Sequence, residues 1–148
     1  MPCILLVEDN PNDVKLTLHA FKRHKIVNRV HVVRDGAEAL DFLFGRGIYG
    51  AQPPTAPRVV LLDLKLPKID GLEVLRQIKA NPVTCVIPVV VLTSSAEERD
   101  IVESYQLGVN SYIVKPVDFA QFTDAVRTIG MYWLLLNQPP QIVSTPGA

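Results

Sequence analysis

RVVLLDLKLPKIDG, residues 58–71, sets four consecutive apolar residues before an aspartate, Asp63, and then passes through Pro67 to Asp70 and Gly71. An unbroken Val and Leu run closed by turn residues reads as a strand buried on both faces, the kind that lies inside a parallel sheet. Four more runs flank it: CILLV at 3–7, VHVV at 30–33, VVVL at 89–92 and YIV at 112–114. Strands are expected over 3–7, 30–33, 58–63, 88–93 and 111–115. Helices are expected between them over 12–24, 36–44, 70–80, 97–107 and 118–136. Short strands alternating with longer amphipathic segments are the signature of repeated βαβ units. Val14, Leu18 and Phe21 supply the core stripe of the first helix, and Asp118 suits the N-cap of the last.

The runs differ from ordinary strands in how they end. CILLV leads into Glu8 and Asp9, VVLL into Asp63, VVVL into Thr93 and YIV into Lys115; only VHVV lacks such a residue. In an open α/β sheet these ends share one edge, and ligands bind there, where the strand order reverses. Carboxylates about 4 Å apart repel by about 4 kcal/mol per pair at an effective dielectric of about 20, so a cation must share the pocket. A hard divalent ion such as Mg²⁺ suits oxygen ligands and phosphate. Lys115 adds a point charge that can neutralise a phosphoryl oxygen.

The constellation resembles the receiver domain of bacterial response regulators, the proteins that take phosphate from a sensor histidine kinase. It rests on Glu8 and Asp9 after the first strand, Asp63 in LLDLKLPKIDG, Thr93 in VVVLTSSA, and Lys115 with Pro116 in SYIVKP, and spans residues 3 to about 130. The resemblance implies a flavodoxin-like, doubly wound α/β fold: a five-stranded parallel sheet in the order 2-1-3-4-5 with five helices. It implies Asp63 as phosphoacceptor, and Mg²⁺ held by Glu8, Asp9, Asp63 and the backbone carbonyl of Lys65. Thr93 and Lys115 would grip the phosphoryl oxygens. Thr93 and Tyr112 occupy the positions of the family's switch pair, in which the hydroxyl moves toward the phosphoryl group and the ring turns inward. Lys65, two residues beyond the acceptor, departs from the most frequent pattern; its side chain would either screen the path of attacking water or point to solvent.

Taken singly, these residues have plain readings. An Asp after an apolar run is commonly a cap or turn residue, and Glu8 and Asp9 could be a solvated loop before a helix signalled by Pro11 and Asn12. The joint placement at four strand ends argues against all of these. An aspartyl phosphatase would want a second Asp as general acid where Lys65 stands. A flavin binder would need a phosphate cradle where EDNPND would repel it. A phosphohistidine carrier would need a four-helix setting around His19 or His24. The remaining alternatives are a receiver-like scaffold that signals independently of phosphorylation, or a relay protein that hands phosphate on.

Composition agrees with one domain. With 148 residues, 48% apolar, the chain can bury about two thirds of its unfolded surface. Fifteen basic residues balance fifteen acidic ones, which recommends neither nucleic acid nor an anionic membrane as partner. Cys3 and Cys85 read as reduced, buried thiols. The N-terminus lacks the pattern of a signal peptide, and no apolar stretch is long enough to span a membrane. A cytoplasmic protein is expected, with residues 1–137 as the receiver and 138–148 as a disordered tail.

Residues 45–57 hold three glycines and three prolines, so a loop is expected there, at the edge opposite the pocket, as an insertion or a partner surface. NPNDVKL, this loop, and the final MYWLLLNQPP together resemble the small stand-alone regulators paired with bacterial phytochromes. That similarity implies a phytochrome as kinase and a homodimer. Phe119, Phe122, Val126, Ile129 and Trp133 form one face of the last helix, while Met131, Tyr132, Leu134, Leu135 and Leu136 leave its end apolar nearly all round. Tyr132, Trp133 and Leu136 are the expected dimer face.

Overall fold

The computed structural model describes residues 3–23, 28–51, 56–115 and 120. The expected fifth helix, the Asp118 cap, the tail and the dimer face at Tyr132, Trp133 and Leu136 lie outside these residues, as does His24. Strands β1 (Cys3–Val7), β2 (Arg29–Val33), β3 (Val59–Leu62), β4 (Val89–Thr93) and β5 (Ser111–Val114) form one parallel sheet in the order β2-β1-β3-β4-β5. Helices α1 (Pro11–Arg23), α2 (Gly36–Phe44), α3 (Gly71–Ala80) and α4 (Glu98–Gln106) connect them. Every expected element among the described residues is present, with boundaries moved by a residue or so, as fraying ends allow.

The all-apolar strand runs are explained by burial on both faces. Leu5, Val7, Val60, Leu62, Val89 and Val91 point to the face covered by Leu40 and Phe42 of α2 and Val74, Leu75 and Ile78 of α3. Ile4, Leu6, Val59, Leu61, Val90 and Leu92 point to the other face, where Val14 and Phe21 of α1 pack. This alternation sets the two layers of a doubly wound sheet. Leu18 is a correction: it is 36% exposed, because at 100° per residue it stands about 60° round the helix from Phe21, at the rim of the buried stripe.

The loop at 45–57 is a correction in part. Residues Gly47–Tyr49 make a 3-10 turn, entered through Gly45, which ends α2 in the left-handed conformation at φ 63°. Tyr49 does not face solvent as a loop residue. Its ring meets Phe42 at 5.1 Å and His31 at 5.7 Å between centroids, and its hydroxyl donates to Glu38 at 3.2 Å and lies 2.9 Å from His31 Nε2. Burial of an aromatic against the sheet's edge strand outweighs the turn-forming composition around it. Cys3 and Cys85 are free and partly buried. No helix among the described residues is long and apolar enough to cross a membrane.

Parallel register brings the functional ends level. Val7 lies opposite both Val33 and Leu62, and Thr93 opposite Val114. The ladder continues one step beyond the strands, with the Asp63 N–H bonded to the Val7 carbonyl at 3.0 Å and the Lys115 N–H to the Thr93 carbonyl at 2.8 Å. β1 and β3 flank the point where the strand order reverses, so Glu8, Asp9 and Asp63 emerge at that crevice.

Candidate functional site

Asp63 is 6% exposed and Glu8 3%, while Asp9 faces solvent. Each of the three offers an oxygen within 4.8 Å of the others. The first oxygen of Asp63, Oδ1, accepts the Lys65 backbone N–H at 3.1 Å. Its other oxygen, Oδ2, accepts the Lys115 ammonium at 3.2 Å. That ammonium also bonds Glu8 Oε1 and, at 2.8 Å, Asp13 Oδ2. Glu8 Oε2 accepts the Asn10 N–H at 3.2 Å. Thr93 is fully buried at the end of β4, its hydroxyl oxygen accepting the Ser95 N–H at 3.3 Å. Tyr112 on β5 is partly buried and donates its hydroxyl to the Ser95 carbonyl at 2.9 Å.

The expected site residues are thus brought to one sheet edge, and three more join them. Asp13 enters because Asn10 caps α1, its side chain accepting the N–H groups of Asn12 at 2.9 Å and Asp13 at 3.2 Å. The cap starts the helix so that its first turn overhangs the end of β1. Ser95 and Asp100 enter through the loop after β4. The Lys65 side chain takes the second of its expected paths, 57% exposed to solvent, but it is not without a partner there. It pairs with Asp100 Oδ2 of α4 at 3.4 Å, because Asp100, only 4% exposed, presents a buried charge within reach. Only Ser95, two residues past Thr93, stood beside an expected site residue in the sequence; Asp13 and Asp100 are first-turn acids whose role depends on where α1 and α4 pack.

Electrostatics set the balance of the pocket. Burial pushes Glu8 up from the ordinary 4.5 to about 7; the hydrogen bond from Lys115 opposes this, and the like charge of Asp63 adds to it. Burial works against the charge of Lys115, but its bonds to Asp13 and Glu8 and the charge of Asp63 outweigh that and raise its pKa. The ammonium stays protonated but offsets only part of the charge of Glu8, Asp9, Asp13 and Asp63, so the pocket keeps a net negative charge that suits a further cation.

A pH prediction follows for the metal-free protein. The folded state holds the Glu8 proton more tightly than the unfolded chain, so this group's stabilising contribution is complete below pH 4.5 and is lost as pH rises through about 7. In chelator, wild type is expected to lose about 2 kcal/mol more stability between pH 5 and pH 8 than Glu8→Gln does. Urea unfolding of both proteins across that range measures it, and parallel curves would contradict it.

The donor set fits a hard divalent cation. Glu8, Asp9 and Asp63 present only carboxylate oxygens, two of them buried and one open to water, and such an ion takes a few carboxylates and keeps waters in its remaining positions.

A five-stranded parallel sheet in this order, with an aspartate, acidic neighbours, a buried hydroxyl and a lysine at its carboxyl edge, defines a class, and the chain belongs to it: residues 4–127 match the response regulator receiver domain family. It is a phosphoacceptor signalling domain of the response regulator type. Among solved structures it is similar to the bacteriophytochrome response regulator AtBRR, at 55% identity and TM-score 0.83 over 93% of this chain and 99% of that one. It is 44% identical to the response regulator Rcp1 of Synechocystis over 131 residues, 88% of each chain. A Mn²⁺-bound structure of Rcp1 superposes with TM-score 0.76 at 41% identity, over 95% of this chain and 99% of that one. It is also 44% identical to the probable methanogenesis regulatory protein FilR2 of Methanothrix harundinacea, over 93% of this chain and 86% of that one.

Proposed function

We propose that Asp63 accepts a phosphoryl group from a sensor histidine kinase. The supporting observation is the double hold on its carboxylate: Oδ1 on the Lys65 N–H and Oδ2 on the Lys115 ammonium. These bonds fix the rotamer, and each carboxylate oxygen keeps a lone pair, so the one nearer an incoming phosphoryl group can serve as nucleophile. That oxygen attacks phosphorus in line, a bond from phosphorus to the carboxylate forms, and the bond to the phosphohistidine nitrogen breaks. Such transfer asks a protein mainly for alignment and charge stabilisation. Lys115 follows the negative charge onto the phosphoryl oxygens, and the Thr93 hydroxyl donates to one of them. Glu8, Asp9, Asp63 and the Lys65 backbone carbonyl would hold Mg²⁺, which when bound offsets phosphoryl charge. Hydrolysis of the aspartyl phosphate resets the protein, so its catalysis is confined to its own modification.

Signalling follows from Thr93 and Tyr112. When the hydroxyl leaves the Ser95 N–H for the phosphoryl group, the Tyr112 ring turns inward and reshapes the surface of α4 and β5. The phytochrome reading is supported by the similarity to AtBRR; the equal identity to Rcp1 and FilR2 shows that the receiver scaffold serves differently named systems. A homodimer through Tyr132, Trp133 and Leu136, a fifth helix, a receiver ending near residue 137 and a cytoplasmic setting complete the proposal on sequence pattern. The alternative is a scaffold that signals without being phosphorylated.

The test is incubation with acetyl phosphate and Mg²⁺, followed by intact mass, with borohydride reduction of the acyl phosphate to locate it. One phosphate at residue 63 is expected. A folded protein that takes no phosphate from several donors would overturn the proposal in favour of the scaffold.

A further inference from the structure

The Lys65 and Asp100 pair does not stand alone. Asp100 Oδ2 also accepts the Ser95 hydroxyl at 2.6 Å. Ser95 is the residue on which both members of the switch pair converge: its N–H bonds the Thr93 hydroxyl oxygen at 3.3 Å and its carbonyl accepts the Tyr112 hydroxyl at 2.9 Å. At the other end, Lys65 gives its N–H to Asp63 Oδ1 at 3.1 Å. One buried carboxylate on α4 therefore ties the loop that carries the acceptor to the loop that carries the switch. The Tyr112 hydroxyl lies in the field of Asp100, Lys65 and Asp63 together.

We infer that Asp100 is a positioning residue: by holding Lys65 and Ser95 at once it latches the unphosphorylated conformation, and the latch must open for Thr93 and Tyr112 to move. This rests on Asp63 as acceptor. The physical reason is competition. Ser95 can keep Thr93 and Tyr112 in their present places only while its own hydroxyl is anchored. Asp100 anchors it from a helix that also reaches across to Lys65. A phosphoryl group on Asp63 adds negative charge two residues from Lys65 and draws both the ammonium and the Thr93 hydroxyl toward itself. The Lys65 side chain is 57% exposed against 6% for Asp100, so the latch is weak enough for that pull to open it.

Asp100→Asn keeps an oxygen for Ser95 but loses the pair with Lys65; Lys65→Gln loses the pair from its exposed end. Each single variant is expected to raise the initial rate of phosphorylation by acetyl phosphate about two- to fivefold, the range of a half-exposed ion pair. The double variant should do no more than either single, since the two remove one interaction. A second readout uses no donor: the ring resonances of Tyr112 in the unphosphorylated variants should move away from their wild-type positions in the same direction. Slower phosphorylation, multiplied effects in the double variant, or an unmoved Tyr112 would overturn the latch. Should Asp100→Asn fail to fold, Lys65→Gln alone must give both the faster rate and the shifted ring. Should wild type take no phosphate, Asp63 as acceptor is overturned, and the donor-free Tyr112 shift still decides whether the latch exists.

Discussion

Asp63→Asn is expected to abolish the phosphate adduct while leaving the protein folded. An amide oxygen is no nucleophile toward phosphorus, and the neighbouring carboxylates are less suited to replace it. Glu8 shares the double hold, from the Asn10 N–H and the Lys115 ammonium, but unlike a free carboxylate it carries its proton up to about pH 7. Asp9 is exposed and Asp13 is drawn to Lys115. The same variant has an effect independent of any phosphodonor. The negative charge of Asp63 is one of the pushes on Glu8, so removing it should shrink the pH dependence of stability described for Glu8. Intact mass after acetyl phosphate treatment reads the first effect and urea unfolding across pH reads the second. An adduct retained by Asp63→Asn would move the acceptor to a neighbouring carboxylate.

Gly71→Ala is expected to cost about 3 kcal/mol of stability, although alanine is favoured over glycine in a helix by about 1 kcal/mol. A Cβ at Gly71 would stand 2.4 Å from the Asp63 carbonyl oxygen and 2.5 Å from the Leu64 Cα. Both are backbone atoms, so no rotamer change relieves the clash; α3 must move off the end of β3, breaking the Gly71 N–H bond to the Leu64 carbonyl. The displaced backbone is the one that carries Asp63, the proposed acceptor. Where the variant remains folded, phosphorylation should slow by roughly tenfold or more, since misplacement by about 1 Å is that costly to an aligned transfer. Gly50→Ala is the control, because its Cβ meets nothing nearer than 3.3 Å. Equal melting of the two variants would show that α3 is free to yield.

Much of this was legible in residue order because parallel strands buried on both faces leave unmistakable runs, and each run's last residue falls at a known edge. VHVV was the exception in sequence and is in space the edge strand on the side away from β3, β4 and β5, with no site residue at its end. What was not legible depends on where helices sit. Asp13 and Asp100 lie in the first turns of α1 and α4, where acids are ordinary complements of the helix dipole. Only the placement of those turns over the sheet edge makes them partners of Lys115 and Lys65. The Lys65 side chain could not be aimed without α4. Tyr49 looked like loop because glycine and proline surround it, and its burial against His31 and Phe42 is a tertiary effect that local composition does not carry.

The bonds that offset part of the pocket's charge join Lys115 to residues 107, 102 and 52 positions earlier in the chain. Contacts of such separation close late, because the entropy of the intervening loop must be spent first. A chain emerging from the ribosome that has laid down β1 to β4 already contains Asp63, but its crevice is an uncompensated cluster of acids. The ammonium that joins these acids and the completion of the sheet therefore arrive together, with the last strand.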